Sequence, residues 1–344
     1  MARKARVTAY DVAREAGVSH NTVSLVMRDS PLVAPETKMR VLQVVQALGY
    51  QRHAVAASLR SARSQTLGYL VPYDDADAEI DVYRNQMLKA ATTTAETQGY
   101  YMLLNPFHDV QRCVALAQSG RIDALLVDSL IGDDALDVLL TCDIPLVLVN
   151  RDAGSRAVNW VRADEESGVF QATAHLLSLG HQRITFMTAY VPDHPILAQR
   201  ERGYQRAMAY ADLPMRIVQA DWTFEAAYAC CQQTLDHDQA NRPTAFFVVT
   251  ELMAAGCLRA IQDRGLSVPE DISLVTVGNS IWSKYVQPQL TTVQVPLYDV
   301  GKTAIELLIQ LIDETRESYS QLVLPTSLVI RDSSGPLNLR APTK

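Results

Sequence analysis

These 344 residues lack several common catalytic signatures. No two glycines sit two apart, which removes the G-x-G-x-x-G dinucleotide fingerprint. No phosphate-loop sequence, G-x-S-x-G elbow or H-E-x-x-H helix occurs either. The seven histidines are scattered without metal-ligand spacing, so neither a metal nor a cofactor is expected, and the chain does not read as an enzyme. Cysteine is scarce: Cys113, Cys142, Cys230, Cys231 and Cys257 form no C-x-x-C, and their number is odd. Free, mostly buried thiols in a reducing cytoplasm fit that usage better than a disulfide framework. Cys230-Cys231 reads as two apolar-like residues on a helix, with a redox pair as the alternative. No apolar run is long enough to span a bilayer, and no hydrophobic segment follows the basic Met1–Arg6. Neither a membrane nor export is therefore expected.

What is present is a globular chain, 48% apolar, long enough for two or three domains with real cores. Its net charge of −7 hides an asymmetry. Residues 1–64 hold ten Lys/Arg against four acids, an excess of six positive charges, which leaves the remainder at −13. A small basic head on an acidic body favours polyanion binding through the head alone.

That head has a pattern. Val12, Ala13 and Ala16 share one helical face, and Val23 and Val26 share the next. Between them lies Gly17-Val18-Ser19. Glycine tolerates the left-handed backbone of a tight turn, and Ser19 is placed to cap the second helix. Two helices joined in this way match a helix-turn-helix, which lays its second helix in the DNA major groove; a generic helical hairpin would show the same spacing. A third helix starts at Pro35-Glu36-Thr37, carries Val41, Leu42, Val45 and Leu48 at helical spacing, and stops at Gly49.

From Thr66 onward, short apolar runs alternate with longer amphipathic segments. The runs are Leu67–Val71, Tyr101–Leu104, Ala124–Val127, Pro145–Val149, Ile184–Met187, Ile217–Val218, Ala245–Val249 and Ile272–Val277. Helices are predicted near 83–98, 109–118, 133–141, 165–179, 198–210, 224–236, 252–264 and 298–314. Such alternation predicts parallel sheets covered by helices, and eight units exceed one ordinary sheet, so two α/β lobes are expected.

With these segments in place, the chain closely resembles the lactose-repressor (LacI/GalR) family of bacterial transcription regulators. The matching stretches are Val7 to Met27, Val33 to Tyr50, Ala57-Ser-Leu-Arg60 and Leu67-Gly-Tyr-Leu-Val-Pro72. Later matches are His175 to Ile184, Arg202-Gly-Tyr204, Val268 to Leu274 and Pro288 to Val293, so the resemblance runs in order along nearly the whole chain. It implies an all-α helix-turn-helix head (1–50) joined by a hinge helix and linker (51–65) to a two-lobed α/β periplasmic-binding-protein-like body (66–344) with parallel sheets. The first lobe would take about 66–162 and 294–324, and the second about 163–293 and 325–340, with crossovers near 161–164, 290–296 and 323–327. A small-molecule effector, expected to be sugar-derived, would sit between the lobes at the carboxyl ends of the strands. The partners implied are double-stranded operator DNA and a second copy of the chain. The tail 338–344 is too short for the heptad segment that tetramerises some relatives.

Carried onto this sequence, the motif places His20, Asn21 and Leu25 against base edges. Asn21 suits adenine and His20 a purine edge, whereas Leu25, where arginine is common, offers only apolar contact. Arg28 also departs, from a usual asparagine, and could reach a phosphate. Thr8, Tyr10, Ser19, Thr22 and Ser24 are candidate phosphate contacts, which position without specifying. Val12, Val23 and Val26 read as core. In the hinge, Leu59 matches the leucine that wedges pairwise into the central minor groove, with His53, Ala56 and Arg60 beside it; a plain solvated linker is the alternative. Such a short segment cannot be a stable helix alone.

The implied effector contacts are Tyr73, Asp74, Tyr83, Asn150, Arg200, Trp222, Thr250 and Asn279. Arg200 would grip ligand oxygens, Trp222 would stack, and Asp164 would cap the helix starting at Glu165. Two places depart from the family: its common Asn-Asp pair is Thr250-Glu251, and its common Gly-Phe-Asp-Asp is Thr276-Val277-Gly278-Asn279. Both remove short polar groups that bind sugar hydroxyls, which argues against a plain hexose and for a glycoside, sugar acid or modified sugar. The expectation is therefore an effector-controlled, sequence-specific transcription regulator, a repressor, acting as a cytoplasmic, nucleoid-associated homodimer. The rival is a transport-type binding protein, which the lobes alone would allow.

Overall fold

The structure, a computed structural model, describes residues 7–27, 29–50, 63–72, 82–129, 131–191, 194–236, 241–313 and 319–337. Its contacts divide it into two compact units, 1–65 and 66–344.

The small unit is three helices: α1 (Ala9–Ala16), α2 (His20–Val26) and α3 (Pro35–Leu48). Thr8 and Asp11 form a reciprocal capping box at the start of α1, and Gly17 ends it in the left-handed region at φ 64°. Ser19 then caps α2, its Oγ accepting from the Thr22 amide at 3.0 Å. Val12, Ala13, Ala16, Val23, Val26 and Val41 make the core. Of the predicted apolar face of α3, only Val41 is fully buried, while Leu42 is 44% exposed. Helices as short as α1 and α2 cover a single stripe of the third, so the flanking positions stay open.

The large unit holds two six-stranded sheets. The first contains β1 (Thr66–Pro72), β2 (Tyr101–Phe107), β3 (Ala124–Val127), β4 (Leu146–Val149), β5 (Asn159–Ala163) and β11 (Gln321–Leu324). The second contains β6 (Ile184–Ala189), β7 (Arg216–Ala220), β8 (Ala245–Val248), β9 (Ser273–Gly278), β10 (Thr291–Gln294) and β12 (Ser327–Val329). Their orders are β11-β5-β4-β3-β1-β2 and β12-β10-β9-β8-β6-β7. All pairings are parallel except β10 with β12. Central strands β3, β4 and β8 are buried at every residue, as parallel sheets covered on both faces require.

The covering helices fall close to their predicted positions. Those following first-lobe strands are α4 (Val82–Thr97), α5 (Val110–Gln118) and α6 (Asp133–Leu140). The second lobe carries α7 (Glu165–Ser178), α8 (Pro195–Tyr210), α9 (Phe224–Leu235), α10 (Glu251–Asp263) and the short α11 (Trp282–Tyr285), the last not predicted from the sequence. Helix α12 (Leu297–Asp313) returns to pack on α4, β3, β4 and β5. The chain thus passes between lobes after β5, after β10 and after β11. The segments marked only as crossovers in the sequence are themselves strands: β5, β10, β11 and β12. The crossings are tied together, since Thr326 Oγ1 donates to the Asp164 carbonyl at 3.0 Å. All five cysteines are free, four of them buried. No helix among the described residues is long and apolar enough to cross a membrane.

Candidate functional site

Two places collect candidate functional side chains, one in each unit. In the small unit they cluster at the start of α2. Asn21 is exposed, and Thr22, Ser24 and Leu25 are half-buried beside the fully buried Val23 and Val26. Ser19 Oγ lies 2.8 Å from Thr22 Oγ1, so these two hydroxyls already partner each other as well as capping the helix. Thr8 is similarly engaged: its Oγ1 donates to Asp11 Oδ2 at 2.7 Å, and its amide donates to the same oxygen at 2.9 Å. That carboxyl is held below the usual aspartate range, chiefly by the Thr8 hydroxyl. Tyr10, 72% exposed, stacks on His20, with ring centroids 4.5 Å apart and planes 23° apart. The structure therefore joins two sequence-predicted residues from different helices, a link no spacing rule revealed. Arg28, His53, Ala56, Leu59 and Arg60 lie outside the described residues, as does the tail 338–344.

In the large unit the sheet orders point to the second site. Neighbouring strands reverse their direction of winding between β1 and β3 in one lobe and between β6 and β8 in the other. Ligands of open α/β sheets bind outside the carboxyl ends of strands at such points. A buried ionisable group stands at each. After β3, Asp128 accepts the Tyr69 hydroxyl at 3.0 Å and the Ser129 amide at 2.6 Å. After β8, the Val249 carbonyl accepts Arg200 Nη1 at 2.7 Å. Arg200 is only 4% exposed, and its Nε and Nη2 donate to Glu165 Oε2 and Oε1 at 2.9 and 3.1 Å.

Arg200 is thus not the open fork that the sequence suggested: its bidentate face is taken by Glu165, a residue known from the sequence only as the start of a helix. Next to it, Asp164 does cap α7, accepting from the Ser167 amide at 3.2 Å. Asn150 is buried at the end of β4 at φ 64°, with its Nδ2 3.6 Å from Met87 Sδ. Thr250 caps α10 through the Met253 amide. The Asn279 side chain is committed at both ends: Nδ2 donates to Gln294 Oε1 at 2.9 Å, and Oδ1 accepts from Arg331. Trp222 packs at a tilt against His194, with centroids 5.6 Å apart. Tyr73 and Asp74 lie outside the described residues, and of Tyr83 only the helical backbone is described.

Sequence reasoning missed Asp128, Glu165 and Gln199. The last is buried on α8 and accepts Arg162 Nη1 at 2.8 Å, a bond between the lobes. Asp128 had a signal available: it follows an apolar strand just as Asn150 does. Among the described residues no group of His, Cys, Asp or Glu could hold a metal ion.

Known proteins match this architecture over nearly its whole length. The model for bacterial regulatory proteins of the lacI family matches residues 8–53, and that for a periplasmic binding protein-like domain matches 173–334. Catabolite control protein A of Priestia megaterium is 31% identical over 336 residues, covering 95% of this chain and 99% of that protein. The transcriptional repressor PurR of Vibrio parahaemolyticus is 31% identical over 343 residues, covering 96% and 99%. Among solved structures, the lac repressor dimer bound to operator and the anti-inducer ONPF has a TM-score of 0.84 at 26% identity, covering 96% of this chain and all of that one. The regulator CelR in complex with cellobiose has a TM-score of 0.71 at 27% identity, covering 95% of this chain. A helix-turn-helix and a two-lobed body, matched along nearly the whole chain in this way, make the chain a member of the lacI family of bacterial regulatory proteins: a DNA-binding transcription regulator rather than an enzyme.

Proposed function

We propose that this regulator represses transcription by binding a near-palindromic operator as a homodimer, and that a carbohydrate-related effector between its lobes controls that binding. The observation that carries the DNA reading is the start of α2. An exposed Asn21 and a stacked His20 project from a capped helix whose apolar face is fully used in the core. Asn21 would bond adenine, His20 a purine edge and Leu25 a thymine methyl, with Thr8, Tyr10, Ser19, Thr22, Ser24 and Arg28 towards phosphates. His53, Ala56, Leu59 and Arg60 would supply the hinge contacts, with Leu59 as the wedge. Two exposed apolar groups support a second copy of the chain: Tyr101, Leu103 and Leu104 on edge strand β2, and Ile281, Trp282 and Tyr285 at α11. The site of action is the nucleoid in the cytoplasm.

The effector would lie between the carboxyl ends of the two sheets, near Asn150, Arg200, Trp222, Thr250 and Asn279 and towards Tyr73, Asp74 and Tyr83. Because Glu165 neutralises Arg200, an oxygen-rich ligand suits the site better than an anionic one. An effector shifts operator binding only by its differential affinity for two states of the body, and the coupling is reciprocal. The test is a thermal-shift screen of carbohydrates on the full chain, followed by operator titrations with each hit. At least one sugar should change operator affinity, and the operator should change that sugar's affinity by the same factor. Hits whose affinity is the same with and without operator would contradict the reading.

A further inference from the structure

The two departures in the body touch each other. Gly278 ends β9 and Glu251 opens α10 behind the neighbouring strand β8. An ideal Cβ on Gly278 would lie 2.5 Å from both Cδ and Oε2 of Glu251, and 2.6 Å from its Cγ. Gly278 is also at φ 151°, in the positive region that L side chains rarely adopt. A side chain at 278 is therefore excluded twice, by backbone conformation and by the glutamate lying across it.

The carboxylate is held there firmly. Its Oε1 accepts the Asn279 amide at 3.2 Å, the Ser280 amide at 2.9 Å and the Ser283 hydroxyl. Asn279 is anchored in turn to Gln294 and Arg331. One oxygen is thus fixed on the 279–283 segment. The other, Oε2, lies over the bare glycine and receives no hydrogen bond among the described residues. A carboxylate accepts at both oxygens; Oε1 already takes three donors, so the room for a further donor lies on Oε2. This oxygen stands against Gly278 at the carboxyl end of β9; two residues before Glu251 in sequence, the Val249 carbonyl accepts Arg200. That guanidinium is already matched by Glu165.

Resting on the reading that an effector binds between the lobes, we propose that Glu251 is the specificity-determining acceptor of the second lobe. It reaches across Gly278 and selects a ligand with hydroxyl or ammonium groups at that end against one with a carboxylate. The glycine serves this role by leaving the oxygen uncovered, and the glutamate's length makes up for the missing side chain at 278.

Two measurements on the full-length protein test it. Calorimetric titration with D-glucosamine, D-glucose and D-gluconate varies charge on one carbon skeleton. Gluconate should bind about ten-fold more weakly than the other two, and Glu251→Gln, which keeps the Oε1 acceptor, should shrink that gap to within about three-fold. A preference for gluconate, an unchanged gap in Glu251→Gln, or no binding of any of the three at tens of millimolar would overturn the proposal. In the second, Gly278→Ala and Glu251→Ala should each lower the Tm, and the double variant should lose less than the two together. Strict additivity would overturn the proposed contact. A gluconate-selective protein whose operator affinity responds to gluconate would sink the role of Glu251 while leaving effector control intact. Sugar binding with unchanged operator affinity would do the reverse.

Discussion

The head and the body solve opposite problems with opposite chemistry. In the head, a six-residue apolar core supports polar side chains that stay exposed and are organised by their neighbours in sequence: Thr8 with Asp11, Ser19 with Thr22, Gly17 at the turn. In the body, the groups that matter are buried or half-buried and meet from far apart. Arg200 reaches Glu165 across 35 positions, and Glu251 lies against Gly278. A surface that reads DNA needs donors and acceptors held ready in water. A small-molecule site needs charges matched to one another before any ligand arrives, because an unmatched buried charge is costly. The difference implies that body substitutions act first on stability, whereas head substitutions act first on sequence preference.

The largest expected effect breaks the buried pair. Arg200→Ala strands the Glu165 carboxylate and should cost about 3–5 kcal/mol of folding stability. Urea denaturation of the full chain measures it, and a loss below about 1 kcal/mol would show that Arg200 is no structural partner of Glu165.

In the head, Asn21→Ala should remove about 1–3 kcal/mol of preference at one base position per half-site. Stability should hardly change, since Asn21 is exposed. Competition between the selected operator and its single-base variants reads this out; an equal loss on all sequences would make Asn21 a positioning residue instead. Ser19→Ala should cost about 1 kcal/mol through the lost cap, and because the hydroxyl also sits beside Thr22, operator binding should weaken without a change of consensus.

A smaller effect concerns pH, and it belongs to the body. His181 is buried, with Nδ1 3.1 Å from Thr244 Oγ1 and Nε2 3.0 Å from the Gly335 carbonyl. Burial lowers its pKa from the ordinary 6.5, against an opposing pull from that carbonyl, and burial lowers His175 too. As pH falls below about 6.5 the unfolded chain takes up these protons before the folded chain does. Stability should therefore be level above that pH and decline below it towards the depressed folded values. A Tm series from pH 7.5 to 5 should show the decline, and His181→Gln should reduce it.

The head was legible because its information is local. A cap, a turn glycine and an apolar stripe fall within twenty residues, and each follows from a rule about one turn of helix. Even there the Tyr10–His20 stack escaped, since it joins two helices. In the body, the apolar runs marked the central strands and the amphipathic stretches their helices. The strands β5, β10, β11 and β12 could be seen only as crossovers. They are three to five residues long, carry polar residues such as Asn159, Thr291 and Gln321, and become strands through the partners beside them. The candidate effector site was the least legible part. Arg200 was singled out, but the acid that occupies it was not, because nothing near Glu165 in sequence refers to α8. Thr250-Glu251 and Gly278-Asn279 stood out as two separate oddities; only the fold makes them one arrangement.

Whether α2 reads the DNA bases is tested most directly by selection from a random DNA pool with the full chain and with Leu25→Arg. The wild-type chain should return a near-palindromic consensus, and the variant should return the same consensus with guanine gained at one position in each half. An identical consensus from both proteins, or no enrichment by either, would contradict it.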